Sequence, residues 1–366
     1  MIETMLADLE ELVTCESFSA DLEAVARSAK VVGAMGRRLL GAEPEYLVID
    51  GVTHLRWTFG TPKVLLLGHH DTVWPIGTLR THPWSVVDGV ARGPGVFDMK
   101  SGLVQIFHAL AGLDPLDGVS VLITGDEEVG STTSAPLIEE SARGLAATFV
   151  LEASADGGAL KTARKGTSDY RVTVYGKAAH AGLEPEKGAN AGIELAHQIL
   201  AIAGLGAGAP GFSATTVTPT VLAGGSTVNT VPAEAWVGVD VRVATLAEQA
   251  RVDAAMRSLS PVVPGTRLEV AGGPNRPPME EAMSASLFAL AQSVAGRLGL
   301  EPLSSAAVGG ASDGNFTAGL GCPTLDGLGG VGGGAHADHE HVIVAELPRR
   351  TALLRELVRE VLAGAA

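Results

Sequence analysis

Two styles of hydrophobic patterning alternate along the chain. Up to about residue 165, apolar positions recur at helical spacing over 2–14, 21–40 and 101–113. Short, unbroken apolar runs stand between them at 64–68, 119–124 and 147–151. A strand without polar alternation is buried on both faces, so the pattern predicts a mostly parallel mixed sheet with helices on both sides. Near Gly166 the period changes. Residues 170–176 alternate polar and apolar, as a strand with one wet face does. A helix over 190–204, strands near 214–222 and 235–243, a helix over 246–259 and a strand near 266–271 follow. That β-α-β-β-α-β order predicts a small α+β ferredoxin-like layer. After Pro274-Asn275 the first style resumes, with helices over 282–299 and 346–363. The expected organisation is an α/β domain over 1–165 and 276–366, interrupted by an inserted α+β domain over 166–275.

Composition narrows the class. A chain of 366 residues exceeds what one core usually serves, in keeping with two domains. Hydrophobic residues make up 46% and charged residues 18%, which excludes a disordered chain. The net charge of −15 leaves no basic footprint for nucleic acid or an anionic membrane. No apolar run approaches the ~20 residues of a membrane span. Met1-Ile2-Glu3-Thr4-Met5-Leu6-Ala7-Asp8 reads as the start of a helix rather than a secretory signal. Only Cys15 and Cys322 are present, which excludes a disulfide framework and a cysteine zinc cluster and makes a reducing cytoplasm the expected location.

The chemistry-bearing residues stand just after the expected strands, where open α/β sheets form their ligand crevice. Gly68-His69-His70-Asp71 follows the first apolar run. Residues two apart in extended chain share a face, so His69 and Asp71 point together and His70 points away. An Asp beside a His fixes its tautomer and orients the ring. Gly93-Pro94-Gly95-Val96-Phe97-Asp98 is a turn ending on an acid, which either serves a site or caps the next helix. Asp126-Glu127-Glu128 and Glu152 end two further strands, and Gly334-Ala335-His336-Ala337-Asp338 repeats the His-x-Asp spacing. His339 and His341 compete with His336 on spacing alone. Imidazole nitrogen and carboxylate oxygen without sulfur suit Zn²⁺, Co²⁺ or Mn²⁺. The number of candidate ligands suggests a metal pair sharing one carboxylate, with one acid left as a general base.

In this order the motifs resemble those of the dinuclear zinc metallopeptidase family of glutamate carboxypeptidases, aminoacylases and succinyl-diaminopimelate desuccinylases. The likeness extends to Gly176-Lys177-Ala178-Ala179-His180-Ala181-Gly182 and Asp240-Val241-Arg242, and is strongest to glutamate carboxypeptidases of the carboxypeptidase G type. The resemblance implies two zinc ions, with His69 and Glu152 on one, Glu128 and His336 on the other, and Asp98 bridging them across a cis Asp98-Met99 peptide. It implies Asp71 as the orienter of His69 and Glu127 as general base. It also implies His180 as an oxyanion donor, which acts across the subunit interface in dimeric relatives. A Glu at position 152 is the residue that carboxypeptidases and deacylases of the family carry, where aminopeptidases tend to have Asp. A homodimer through the inserted domain follows from the resemblance alone.

An exopeptidase must also hold a free carboxylate, and in so acidic a chain that calls for local arginine. Arg242 and Arg276 are the candidates; the resemblance implies Arg276 for the substrate carboxylate and Asn229 as a polar substrate contact, and an ion pair at a strand end is an equal reading of Arg242. Gly309-Gly310-Ala311-Ser312-Asp313 reads as a loop lining the pocket. The expected activity is removal of a C-terminal residue, glutamate above others, from a small peptide or N-acyl amino acid. An N-acyl amino acid deacylase and a non-catalytic peptide-binding descendant are the alternatives.

Overall fold

The computed structural model describes residues 2–364; Met1, Ala365 and Ala366, at the ends of the expected segments, lie outside the described residues. The chain forms two compact units. One comprises the chain up to Ala163, Glu280–Val308 and the chain from Ser312 onward; the other comprises Arg164–Met279 with Gly309–Ala311.

The first unit is built on a six-stranded sheet in the order Glu45–Ile49, Val52–Thr58, Val119–Thr124, Val64–His69, Ala147–Val150, Thr324–Leu325. The first two pairings are antiparallel and the other three parallel. Every residue of Val64–His69, Val119–Thr124 and Ala147–Val150 is buried, as their unbroken apolar pattern requires. Alternate side chains serve opposite faces. Val64 and Leu66 join Leu9, Trp57, Phe107 and Leu354 in the larger core, beneath Ile2–Thr14, Leu22–Leu40, Ser101–Leu110 and Glu346–Leu362. Leu65 and Leu67 pack with Leu122, Ile138 and Phe316 on the other side. Each such side chain contributes about 1.5–3 kcal/mol on burial. Gly102 lets its helix lie tight against the chain leaving Ala147–Val150, for a Cβ there would stand 2.0 Å from the Leu151 carbonyl oxygen.

In the second unit an antiparallel sheet runs Thr216–Gly224, Glu234–Val243, Gly166–Tyr175, Arg267–Arg276. Ala191–Ala203 and Leu246–Arg257 cover one face, against Tyr170, Val172, Val174, Val237, Val239 and Val241. The connectivity is the β-α-β-β-α-β order read from the sequence. The unit extends beyond the expected 166–275 at both ends, because Arg164 and Met279 exchange both backbone hydrogen bonds, each at 3.0 Å. Among the described residues no helix is long and apolar enough to cross a membrane.

Candidate active site

Three adjacent parallel strands of the first unit deliver the acids and one imidazole to a common edge. His69 is the last residue of its strand; Glu127 and Glu128 follow the strand on one side, and Glu152 follows the strand on the other. The His69 Nδ1 atom lies 3.0 Å from the Asp71 carbonyl oxygen and 3.5 Å from Asp71 Oδ1. Its Nε2 faces Asp98 Oδ1 and Glu152 Oε1, each at 3.4 Å. His70 points the other way, with Nε2 3.0 Å from the Thr53 carbonyl oxygen, and burial pushes its imidazole down to about 4. Asp71 is fully buried and accepts from Ser19 Oγ at 2.7 Å, the Glu127 amide at 3.2 Å and the Glu128 amide at 3.3 Å. One carboxylate therefore aligns both the histidine and the acidic turn.

Asp98 sits in a bend rather than in a helix. Gly95 takes a left-handed φ of 73°, Asp98 itself is extended at φ −114° and ψ 96°, and the Asp98–Met99 peptide is cis. The following helix Ser101–Leu110 has no side-chain cap, so Asp98 is not spent on capping. Its two oxygens diverge: Oδ1 faces His69, while Oδ2 lies 3.3 Å from His336 Nε2. The same His336 nitrogen stands 3.2 Å from Glu128 Oε2. His336 reaches this place from a left-handed φ of 61°, a conformation that costs a non-glycine residue about 1–2 kcal/mol. His339 and His341 do not join it; His341 Nδ1 lies 2.9 Å from the His339 carbonyl oxygen.

The charges explain what the constellation wants. Burial pulls the His69 imidazole down, but contacts with Asp71, Asp98 and Glu152 override it and raise it well above the usual range. The Asp98 and Glu128 carboxylates push His336 up to about 10. Burial raises Glu128, while Asp98 is held well below the usual carboxylate range once His336 and His69 outweigh its burial. His69 Nε2, Asp98 Oδ1 and Glu128 Oε1 are buried without a hydrogen-bond partner. Ligand atoms of His69, Glu127 and Glu152, and likewise of His69, Asp98 and Glu128, lie within 4.8 Å of one another. Orphaned nitrogen and oxygen atoms converging in an anionic setting, with no cysteine among them, fit divalent cations.

Other acids brace the site. Asp126, the first of the three successive acids, turns away and accepts from Thr133 N and Oγ1, both at 2.7 Å, and from Ser134 Oγ. Asp313 is not in an open loop: it is buried and accepts from Thr124 Oγ1 at 2.9 Å and from Ser131 Oγ. No motif of the sequence singles out Glu340. Only 3% exposed, it meets the backbone of the Asp98 bend; its position four residues after His336 was the one available signal.

The remaining candidates lie in the second unit. His180 is exposed, and its Nδ1 accepts from the amides of Gly182 and Leu183, each at 3.1 Å. Asn229 is brought beside it, for its carbonyl accepts from Ala181 N at 2.9 Å. Arg242 and Arg276 flank Thr167 from opposite neighbouring strands. Arg242 is engaged by Asp240 through a fork of bonds at 2.8–3.1 Å, and Arg276 is 8% exposed.

Residues 65–360 match peptidase family M20/M25/M40. Carboxypeptidase G2 of Pseudomonas sp. (strain RS-16) is 29% identical over 384 residues, covering 98% of this chain and 90% of that protein. Succinyl-diaminopimelate desuccinylase of Rhodospirillum centenum is 28% identical over 387 residues, covering 98% of each. The M20 family metallo-carboxypeptidase Sso-CP2 of Sulfolobus solfataricus has a similar fold, with a TM-score of 0.77, 15% identity and coverage of 98% of this chain and 99% of that one.

Proposed function

Since the chain belongs to peptidase family M20/M25/M40, we propose that it is a zinc-dependent carboxypeptidase that hydrolyses the amide bond to a C-terminal glutamate. The observation that carries this reading is the divergence of the Asp98 oxygens, one toward His69 and the other toward His336. In it, His69 and Glu152 would hold one zinc ion and Glu128 and His336 the second, with Asp98 shared between them. Co²⁺ or Mn²⁺ would satisfy the same donors. Such a metal pair supplies a water acidified toward ~7 and an electrophile for the scissile carbonyl.

The chain's own residues do the rest. Asp71 locks the His69 ring through Nδ1, leaving Nε2 free to ligate, and fixes the Glu127 and Glu128 amides. Glu127 serves as general base, accepts the proton of the attacking water and returns it to the leaving amine. His180 donates to the oxyanion. Its Nδ1 already accepts two backbone bonds, so the neutral ring carries its proton on Nε2, the tautomer that role needs. Arg276, with Asn229 and Arg242, holds the substrate carboxylate.

The small peptide or N-acyl substrate meets a homodimer in this reading. The edge strand Thr216–Gly224 and its neighbourhood expose Leu200 at 74% and Leu222 at 62%, an apolar face suited to a second copy. Cys15 and Cys322 are both free thiols, in keeping with the cytoplasm. Near-equal identity to the desuccinylase favours a second reading, an N-acyl amino acid deacylase on the same centre.

The test is hydrolysis of an N-acyl-glutamate, its N-acyl-leucine counterpart and the matching peptides by Zn²⁺-loaded protein. Preference for the glutamyl peptide supports the carboxypeptidase, and preference for short acyl groups supports the deacylase. A preference for neutral or basic leaving groups overturns the glutamate assignment. Inactivity on every amide with metals fully loaded favours a peptide-binding descendant.

A further inference from the structure

We propose that Glu340 is a positioning residue whose carboxylate moulds the Gly95–Asp98 backbone and ties it to the His336 turn, so that the bridging aspartate is presented before any metal arrives. The inference rests on the reading of Asp98 as the shared ligand. Glu340 Oε1 accepts from the backbone amides of Phe97 at 2.9 Å and Asp98 at 3.0 Å. Its Oε2 accepts from the Gly95 amide at 2.9 Å and the Trp74 indole at 2.7 Å. One buried carboxylate thus gathers four N–H donors, three of them from the bend that carries Asp98.

That bend does not satisfy itself. The left-handed Gly95 and the extended Asp98 break the helical pattern, and the amides of Gly95, Phe97 and Asp98 all turn toward Glu340. Successive backbone amides aimed at one point form an anion nest, and charge-assisted bonds of this kind are the strong ones. Glu340 belongs to the same turn as His336: its own amide bonds the Ala337 carbonyl at 2.8 Å, and the Ala337 amide bonds the Gly334 carbonyl at 2.9 Å. The carboxylate therefore clasps the two segments whose side chains meet at Asp98 Oδ2 and His336 Nε2.

An acid buried beside a cluster of acids is a costly choice unless its charge is needed. A glutamine has the same shape but one acceptor oxygen, and its amide nitrogen would face two N–H donors. Glu340→Gln thus removes half of the clasp and adds a donor–donor conflict. Trp74→Phe removes only the indole bond and spares the backbone.

The experiment titrates metal-stripped protein with Zn²⁺ against a chromophoric chelator, for wild type, Glu340→Gln and Trp74→Phe. Thermal melts of the stripped proteins confirm folding. Wild type is expected to take up two ions, Glu340→Gln to bind them about 10–100-fold more weakly, and Trp74→Phe to lose clearly less. Hydrogen exchange at Phe97 and Asp98 in stripped wild type is a second measurement, independent of any variant's folding. Protection without metal is expected; protection that develops only on metal loading overturns the inference. Unchanged affinity in folded Glu340→Gln also overturns it, while two ions in wild type leave the dinuclear reading standing. Failure of wild type to take up two ions removes that reading and this inference together.

Discussion

Removing the metals should make stability fall with rising pH, through a linkage visible in the site itself. His336 is held at about 10 by Asp98 and Glu128, against an ordinary 6.5. A group whose pKa is raised on folding stabilises the fold fully below its unfolded value, and that stability is lost as pH rises through the folded value. The window is therefore pH 6.5 to about 10. At 1.36 kcal/mol per unit the full shift would be worth roughly 5 kcal/mol. The His336 side chain is 49% exposed, so solvent screening reduces this to roughly 1–2 kcal/mol. For a unit of this size that is about 2–8 °C in Tm. His69, also raised, acts in the same direction. Lys100 opposes them: burial lowers its amine to about 8, so deprotonation stabilises the fold as pH rises. Lys100 sits in both forms of the protein, so comparing chelated with Zn²⁺-loaded samples cancels its slope. Ligating imidazoles carry no proton, and metal binding must release those held by the stripped site. The gap in Tm between loaded and chelated protein should widen from pH 6.5 toward 10. Parallel curves for the two forms would refute the assignment of these histidines as ligands.

Two substitutions separate the remaining roles. Glu127→Gln should lower kcat by about 10²–10⁴-fold while metal analysis still finds two ions, because a base is removed and no ligand; loss of an ion would make Glu127 a ligand instead. His180→Ala should lower kcat by about 10²–10³-fold with both ions retained. Mixing the two inactive proteins should then restore turnover if His180 serves the partner subunit's site, and a mixture that stays inactive shows that base and donor act within one chain.

The site was legible where chemistry and pattern coincide. Unbroken apolar runs mark strands buried on both faces, and the residue after such a run is the first to escape the sheet. His69, Glu127, Glu128 and Glu152 stand just past such runs, and the two-residue period separates His69 from His70, which turns toward Thr53. Asp98 was ambiguous because a carboxylate ahead of a helix is usually a cap; only its backbone angles decide otherwise. Contacts between residues far apart in sequence left no local trace. Asp313 reaches Thr124 across 189 positions, and Glu340 reaches Gly95 across 245. The hairpin Glu45–Ile49 and Val52–Thr58 went unread although Asp50-Gly51 is a strong turn signal, because its first strand is largely exposed and carries little apolar pattern.

The reciprocal bonds between Arg164 and Met279 have an architectural consequence. They tie the first and last residues of the long stretch Arg164–Met279 edge to edge, so that stretch is closed at its base by two backbone bonds. Closing so long an excursion costs only a slowly growing entropy. A stretch pinned in this way tolerates lengthening of its surface loops, because each added residue changes the cost of closure very little.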